Sequence, residues 1–386
     1  MKFFENDNSL RKLMLICFLP IGIICNSQYR NNDDELRDYF SSVVYLADYG
    51  VQTTQIKGEQ FEVLYRKPWT KAIIENKSLQ RGSGFFIYRG LDVYLVTAEH
   101  VARILKPSSQ LKYRDINGTK KEITIQNLSS DKNYLKHLNW VRHPKADIAV
   151  LHLGLIDNVP DDIVAIRYSY LIETLEAPNR LNDVTIIGFP LGLGITSSSI
   201  SPITRNSRTA SDIVYLKRFD NGVENPFVIL DDPTIGGFSG GPVLELRLTP
   251  SNYPKLDGEP IKLAPKLVGL VHGTIGGFAV IVPASQILET IESSPKFNGE
   301  YTFYYPNGSL WSTRIYKDGL PWNVINNFDS NGKPQSKGTL KDGEGTFYSW
   351  NEKSTHAEVF HCSNGKCEGG VYSFKKDPFK KNNPKK

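Results

Sequence analysis

Ser239 stands in the string Gly237-Phe238-Ser239-Gly240-Gly241-Pro242, whose residue types point most directly to chemistry. A serine that attacks a carbonyl needs an exposed hydroxyl and backbone N–H groups aimed where an oxyanion develops. Glycines permit the tight backbone that arranges both. The pattern Gly-x-Ser-x-Gly serves two architectures. In one, the serine turns from a strand into a helix, and the acid and the histidine follow it in the chain. Here Pro242-Val-Leu-Glu-Leu-Arg-Leu follows the serine and alternates as a strand does, which speaks against that architecture. The other order places a histidine and an aspartate first, and both are present. His100 closes Leu95-Val-Thr-Ala-Glu-His, and Asp147 opens Asp-Ile-Ala-Val-Leu, with 47 residues between the first pair and 92 from Asp147 to Ser239. Each residue alone has a plainer reading, as a strand-end histidine, a turn aspartate or a glycine-rich loop. Order and spacing together favour a catalytic set.

The elements that must carry these residues are strands. Short β-branched and aromatic runs recur from about residue 60, among them 84–88 (GFFIY), 92–98 (DVYLVTA), 147–153 (DIAVLHL), 183–189 (DVTIIGF), 242–248 (PVLELRL), 266–272 (KLVGLVH) and 278–282 (FAVIV). Gly, Pro, Asn and Asp separate them, which indicates an all-β sandwich or barrel rather than a parallel sheet. Segment 34–48 reads as a helix, or as a strand at its apolar end. One helix is expected after Pro283, with Ile287, Leu288 and Ile291 on one face.

Taken as a set, these strings resemble the trypsin-like peptidase family, in particular its cysteine-poor bacterial branch of HtrA and glutamyl endopeptidases. Thr97-Ala98-Glu99-His100, Asp147-Ile148-Ala149 and Gly237–Pro242 occur in the family's order. Gly82-Ser83-Gly84, Gly188-Phe189-Pro190, Gly269, Gly277-Phe278-Ala279 and Pro283 match its flanking strands, so the likeness covers about 80–292. It implies two six-stranded antiparallel β-barrels and a terminal helix. It also implies serine endopeptidase chemistry, with Ser239 as nucleophile, His100 as base and acid, and Asp147 fixing the imidazole. The N–H groups of Gly237 and Ser239 would form the oxyanion hole. Glu99 departs from the small residue that the family places before its histidine, which puts the environment of His100 in question. The alternatives are a catalytically silent protease fold that binds peptides, and an interaction protein centred on the C-terminal repeats and regulated by the protease domain.

Specificity is read from four positions, Thr234, Val271, His272 and Gly273. The place of trypsin's acidic pocket residue is taken by Pro233, and Asp231 and Asp232 fall out of register, so Lys or Arg at P1 is not favoured. Thr234 fits the glutamyl pattern. His272, however, lies three residues after Gly269 rather than two, and one residue reverses the face of a strand. Val271 is thereby expected to face the pocket and select a small or medium apolar P1 residue, with His272 structural. No start for N-terminal insertion, no metal motif and no cofactor motif is visible.

The chain has 386 residues and a formal charge of +5. Residues 375–386 hold six Lys and one Asp and account for all of that charge, so the neutral remainder gives no reason to expect nucleic acid as a partner. Arg11-Lys12 precede an apolar run of 13 residues, 13–25, which suits an export leader and is short for a membrane span. Polar sequence follows Cys25, a candidate lipid tether to a membrane. The expected organisation is a leader at 1–25, a linker at 26–35, the peptidase domain at 36–296, a hairpin-repeat domain at 297–374 and a basic tail at 375–386, in an exported protein acting on protein or peptide substrates. Asn307-Gly308 and Asp318-Gly319 recur 24 residues later as Asn331-Gly332 and Asp342-Gly343. Such pairs suit tight hairpins, and the array resembles MORN-like repeats that would engage a protein partner. Cys362 and Cys367 flank a turn, where a disulfide is preferred over a zinc site with His356 and His361.

Overall fold

The computed structural model describes residues 40–51, 77–180, 182–248, 263–305, 307–350 and 356–373, together with four short strands between 53 and 75. The expected leader, linker and basic tail lie outside the described residues. Strand β1 (Val43–Val51) takes up the apolar end of the first segment. Two short hairpins follow, β2 (Thr53–Ile56) with β3 (Glu59–Glu62) and β4 (Leu64–Arg66) with β5 (Ile73–Glu75). The chain then runs through β6 (Lys77–Arg89), β7 (Asp92–Thr97), helix α1 (Glu99–Ala102), β8 (Gln110–Arg114), β9 (Lys120–Thr124), β10 (Val141–Arg142), β11 (Ala149–Leu155) and β12 (Ile166–Arg167). These form a sheet in the order β10-β11-β7-β6-β1-β8-β9, with β12 added to β6 in parallel.

A second sheet contains β13 (Asp183–Gly188), β14 (Ile203–Arg208), β15 (Val214–Lys217), β16 (Glu224–Leu230), β17 (Pro242–Leu248), β18 (Leu263–Ile275) and β19 (Phe278–Pro283), in the order β14-β13-β17-β18-β19-β16-β15. The all-β, antiparallel class expected from the sequence is what the structure shows. The sheets have eight and seven strands, where the family likeness implied six and six, and the pairing among described residues leaves each sheet open. Helix α2 (Ala284–Glu292) buries Ile287, Leu288 and Ile291 against β11 and β18, as its periodicity requires. Among the described residues no helix is long and apolar enough to cross a membrane.

The two sheets share one apolar core, in which Phe85, Phe86 and Leu95 of the first join Phe227 and Leu270 of the second, with Ile148 and Phe189 beside them. Ser83 fastens them at the point where the Gly237–Pro242 string lies. Its buried hydroxyl donates to the Gly237 carbonyl at 2.7 Å and accepts the Phe189 N–H at 2.9 Å. Its backbone N–H donates to the Ser239 carbonyl at 2.9 Å, and its own carbonyl accepts the Thr97 hydroxyl at 2.7 Å.

Residues 31–295 cluster as one compact unit, and the chain from Lys296 onward belongs to another. The second unit holds two three-stranded sheets, β20 (Gly299–Tyr304), β21 (Leu310–Lys317) and β22 (Leu320–Asn327), then β23 (Gly345–Trp350), β24 (His356–Ser363) and β25 (Lys366–Ser373). Asp318-Gly319 and Asn364-Gly365 make the tight turns within them, both residues of each pair at positive φ. Cys362 and Cys367 face each other across the last hairpin and are joined by a disulfide.

Replacing Ser83 by Ala leaves a buried N–H at Phe189 and a buried carbonyl at Gly237 without their shared partner. We expect a loss of about 1–3 kcal/mol, read as a lower midpoint in denaturant unfolding.

Candidate active site

Asp147 lies in the turn that leads into β11, and its side chain is fully buried where the two sheets meet. The carboxylate is saturated with donors. Oδ1 accepts the His100 backbone N–H at 3.0 Å and the Arg218 Nη2 at 3.1 Å. Oδ2 accepts the Nδ1 of His100 and the Nδ1 of His272, each at 2.6 Å. Burial alone would raise this carboxyl, but the imidazoles of His100 and His272 outweigh it and hold Asp147 well below the ordinary range. For His100 burial works toward a lower value. The Asp147 carboxylate overcomes it, helped by Asp220 and opposed by Arg218, and the imidazole rests above its ordinary value.

His100 comes from the first turn of α1, directly after β7, and its position follows from that short helix. Its Nδ1 is committed to Asp147, which leaves Nε2 for the cleft. The ring is partly exposed and lies edge-on to Phe219, with centroids 5.5 Å apart. Ser239 is carried by the glycine loop before β17. Its hydroxyl donates to the His272 carbonyl at 3.2 Å. The structure thus joins His100 with Asp147 and brings Ser239 to the same strand segment as His272, but the serine hydroxyl is turned to that carbonyl rather than bonded to the His100 ring.

The loop conformation depends on Gly237 and Gly240, both at positive φ (103° and 82°). A Cβ at Gly237 would lie 2.5 Å from the Phe189 carbonyl, and one at Gly240 would lie 2.3 Å from the Ser83 carbonyl. The loop's other amides are engaged, Phe238 N–H on Ile235, Gly240 N–H on Val271 and Gly241 N–H on Phe238. Among the described residues, neither the Gly237 nor the Ser239 N–H has a hydrogen-bond partner. These two amides are the pair expected to receive an oxyanion.

At the positions read for specificity, Val271 is fully buried in an apolar cluster with Val184, Val228, Phe238 and Ile281. The register with β19 slips between Val271 and Gly273, so His272 is the extra residue of a bulge. His272 faces away from the Val271 cluster and donates to Asp147. Its ring lies between Phe219 and Phe227, with centroids 4.2 and 5.0 Å away. Gly273 is covered by Phe219, whose ring edge would stand 2.7 Å from a Cβ there. Thr234 is buried opposite Thr274, a residue the sequence reasoning did not single out, with hydroxyls 3.0 Å apart.

Arg218, Phe219 and Asp220, in the turn after β15, also went unnoticed. The one available signal was Glu99. A nearly buried carboxylate in a helix turn calls for a cation, and Arg218 meets it at 2.9 Å, with Arg103 at 2.5 Å.

Residues 82–247 match the family model of the trypsin-like peptidase domain. No curated protein sequence matches the chain. Solved structures with some likeness include the active form of the Rv3671c protease from M. tuberculosis, at 16% identity over 68% of this chain and 83% of that one, with a TM-score of 0.37. Deg5 is similar at 14% over 68% and 94% (TM-score 0.36). The HtrA-type protease AlgW with a decapeptide is similar at 14% over 89% and 99% (TM-score 0.37). These are distant likenesses that fix neither activity nor substrate.

Because the folded-state value of Asp147 lies below its unfolded value of about 3.9, the carboxylate adds stability above that pH and loses it as pH falls through the folded value. Replacing His272 by Phe removes one donor while keeping the stacking between Phe219 and Phe227. Acid unfolding, followed by circular dichroism between pH 6 and 2, is expected to begin at a higher pH than in the wild type.

Proposed function

We propose that this chain is a serine endopeptidase that cleaves protein or peptide substrates through an acyl-enzyme. The observation that carries this reading is the 2.6 Å bond from His100 Nδ1 to the buried Asp147 carboxylate, in a segment matching the trypsin-like peptidase model. Asp147 holds the tautomer that leaves His100 Nε2 free to take a proton. This reading requires the Ser239 side chain to rotate away from the His272 carbonyl and present its hydroxyl to that nitrogen. Ser239 Oγ then attacks the scissile carbonyl, and the N–H groups of Gly237 and Ser239 receive the oxyanion. His100 returns its proton to the leaving amine, and a water molecule activated by the same imidazole releases the acyl group. One observation favours a second reading, a protease fold that only binds peptides: the Ser239 hydroxyl donates to the His272 carbonyl.

We place P1 selection at Thr234 and Thr274. The Thr274 hydroxyl donates to the Thr234 carbonyl at 2.7 Å and accepts the Thr234 N–H at 3.1 Å. With the Thr234 hydroxyl donating to Thr274, no proton from either side chain remains for an anionic P1 group, and neither side chain carries a charge for a cationic one. A small or medium uncharged P1 residue suits this pair. Export through the segment before residue 26, tethering at Cys25 and recruitment of a partner by the C-terminal hairpins complete the proposal, and rest on the sequence patterns alone.

A fluorophosphonate probe is expected to label wild-type protein at Ser239. Ser239→Ala is expected to abolish labelling and to lower peptide hydrolysis by on the order of 10⁶. An unlabelled wild type would favour the binding protein instead. The acid limb of the wild-type labelling rate is expected to have its midpoint above about pH 6.5, the ordinary imidazole value, because His100 must be neutral to act and is held above that value. A positional-scanning peptide library is expected to rank an uncharged P1 residue first. A top rank for Arg or Glu would overturn the assignment of the Thr234–Thr274 pair.

A further inference from the structure

Three carboxylates converge beside the candidate base, and the cation they surround is part of the chain. Glu99 of α1, Asp147 before β11 and Asp220 after β15 bring oxygens within 4.8 Å of one another. Arg218 occupies the centre of this group, with its side chain only 2% exposed. Its Nε and Nη2 grip Asp220 in a fork at 2.9 and 2.6 Å. The same Nη2 reaches Glu99 at 2.9 Å and Asp147 at 3.1 Å, and Nη1 donates to the Lys145 carbonyl at 3.0 Å, two residues before Asp147. One nitrogen with two protons therefore serves three acceptors, so charge as well as hydrogen bonding holds the group together.

We propose that Arg218 is the positioning residue of the catalytic carboxylate: anchored on Glu99 of α1, its guanidinium fixes Asp147 and, through Asp147, the orientation of His100. The proposal rests on the peptidase reading above and extends it to residues outside the triad. It also accounts for Glu99. A carboxylate beside the base would otherwise be an unfavourable neighbour for Asp147, and with Arg218 between them it becomes the anchor of the clamp. Arg103 braces the outer side, reaching Glu99 at 2.5 Å and Asp220 at 3.2 Å, and Arg142 stands 3.5 Å from Glu99. His272 of β18 completes the charged and titratable surroundings of Asp147.

A clamp of this kind acts on the base through charge, so removing its two ends has opposite effects. Arg218→Met removes a positive charge next to the Asp147–His100 pair and favours the imidazolium. Glu99→Gln removes a negative charge and favours the neutral ring. The test is the second-order rate constant for fluorophosphonate labelling of Ser239 in the full chain from pH 5 to 9. We expect the acid-limb midpoint to rise by on the order of one pH unit in Arg218→Met and to fall by a smaller amount in Glu99→Gln. Arg218→Lys, which keeps the charge but loses the fork, is expected to retain the wild-type midpoint with a lower plateau. A purely structural role would lower the plateau without moving the midpoint. Coincident midpoints in the folded variants, or shifts of the reverse sign, would overturn the proposal. If thermal melting shows that Arg218→Met does not fold, Glu99→Gln decides alone, a downward shift supporting the clamp and an unchanged or raised midpoint refuting it. A wild type that fails to label would refute the peptidase reading itself, and the clamp with it.

Discussion

A carboxylate without contact to water is the constraint around which the site is built. Burying an ionised carboxylate costs several kcal/mol unless donors replace its lost hydration. Asp147 receives four, from the backbone and ring of His100, from His272 and from Arg218. The donors come from three separate stretches of chain, α1 after β7, the turn after β15, and the bulge in β18. The carboxylate can be satisfied only when the two sheets are packed together, so folding and assembly of the His100–Asp147 pair are one event.

The Ser239 loop obeys a related constraint of space. Gly237 and Gly240 lie so close to the carbonyls of Phe189 and Ser83 that no side chain fits. The same approach lets Ser83 hold the carbonyls of Gly237 and Ser239. With the carbonyls on either side of it turned inward and fixed, the loop is held in a shape that leaves the amides of Gly237 and Ser239 unengaged. A site that stabilises developing negative charge works best when its donors are oriented before the reaction begins, and this packing is a source of that rigidity.

The β18 bulge shows how a local irregularity redistributes roles. Regular alternation would set Val271 toward the cleft and His272 on the opposite face. In the structure Val271 lies in the core, His272 meets the Asp147 carboxylate and Thr274 stands opposite Thr234. Gly273 follows the bulge, and Phe219 from another strand connection fills the space that a side chain there would occupy. The wall beside His100 thus includes Phe219, 119 positions further along the chain.

Much was nevertheless written in linear order. The runs of β-branched residues between turn formers dictated an all-β chain, because alternation and turn chemistry are local properties. The glycines around Ser239 announced a tight loop for the same reason, and Asn364-Gly365 between two cysteines announced the hairpin that their disulfide closes. The strings around His100, Asp147 and Ser239 marked the candidate site, though not its internal contacts. What only the tertiary structure decided was which side chains share the buried carboxylate, and which way the serine hydroxyl points. Arg218 follows an ordinary strand pattern and carries no local mark of its partners. Its role arises because packing brings Glu99, Asp147 and Asp220 around one guanidinium, and a contact between residues 71 or 119 positions apart leaves no periodicity in the sequence to read.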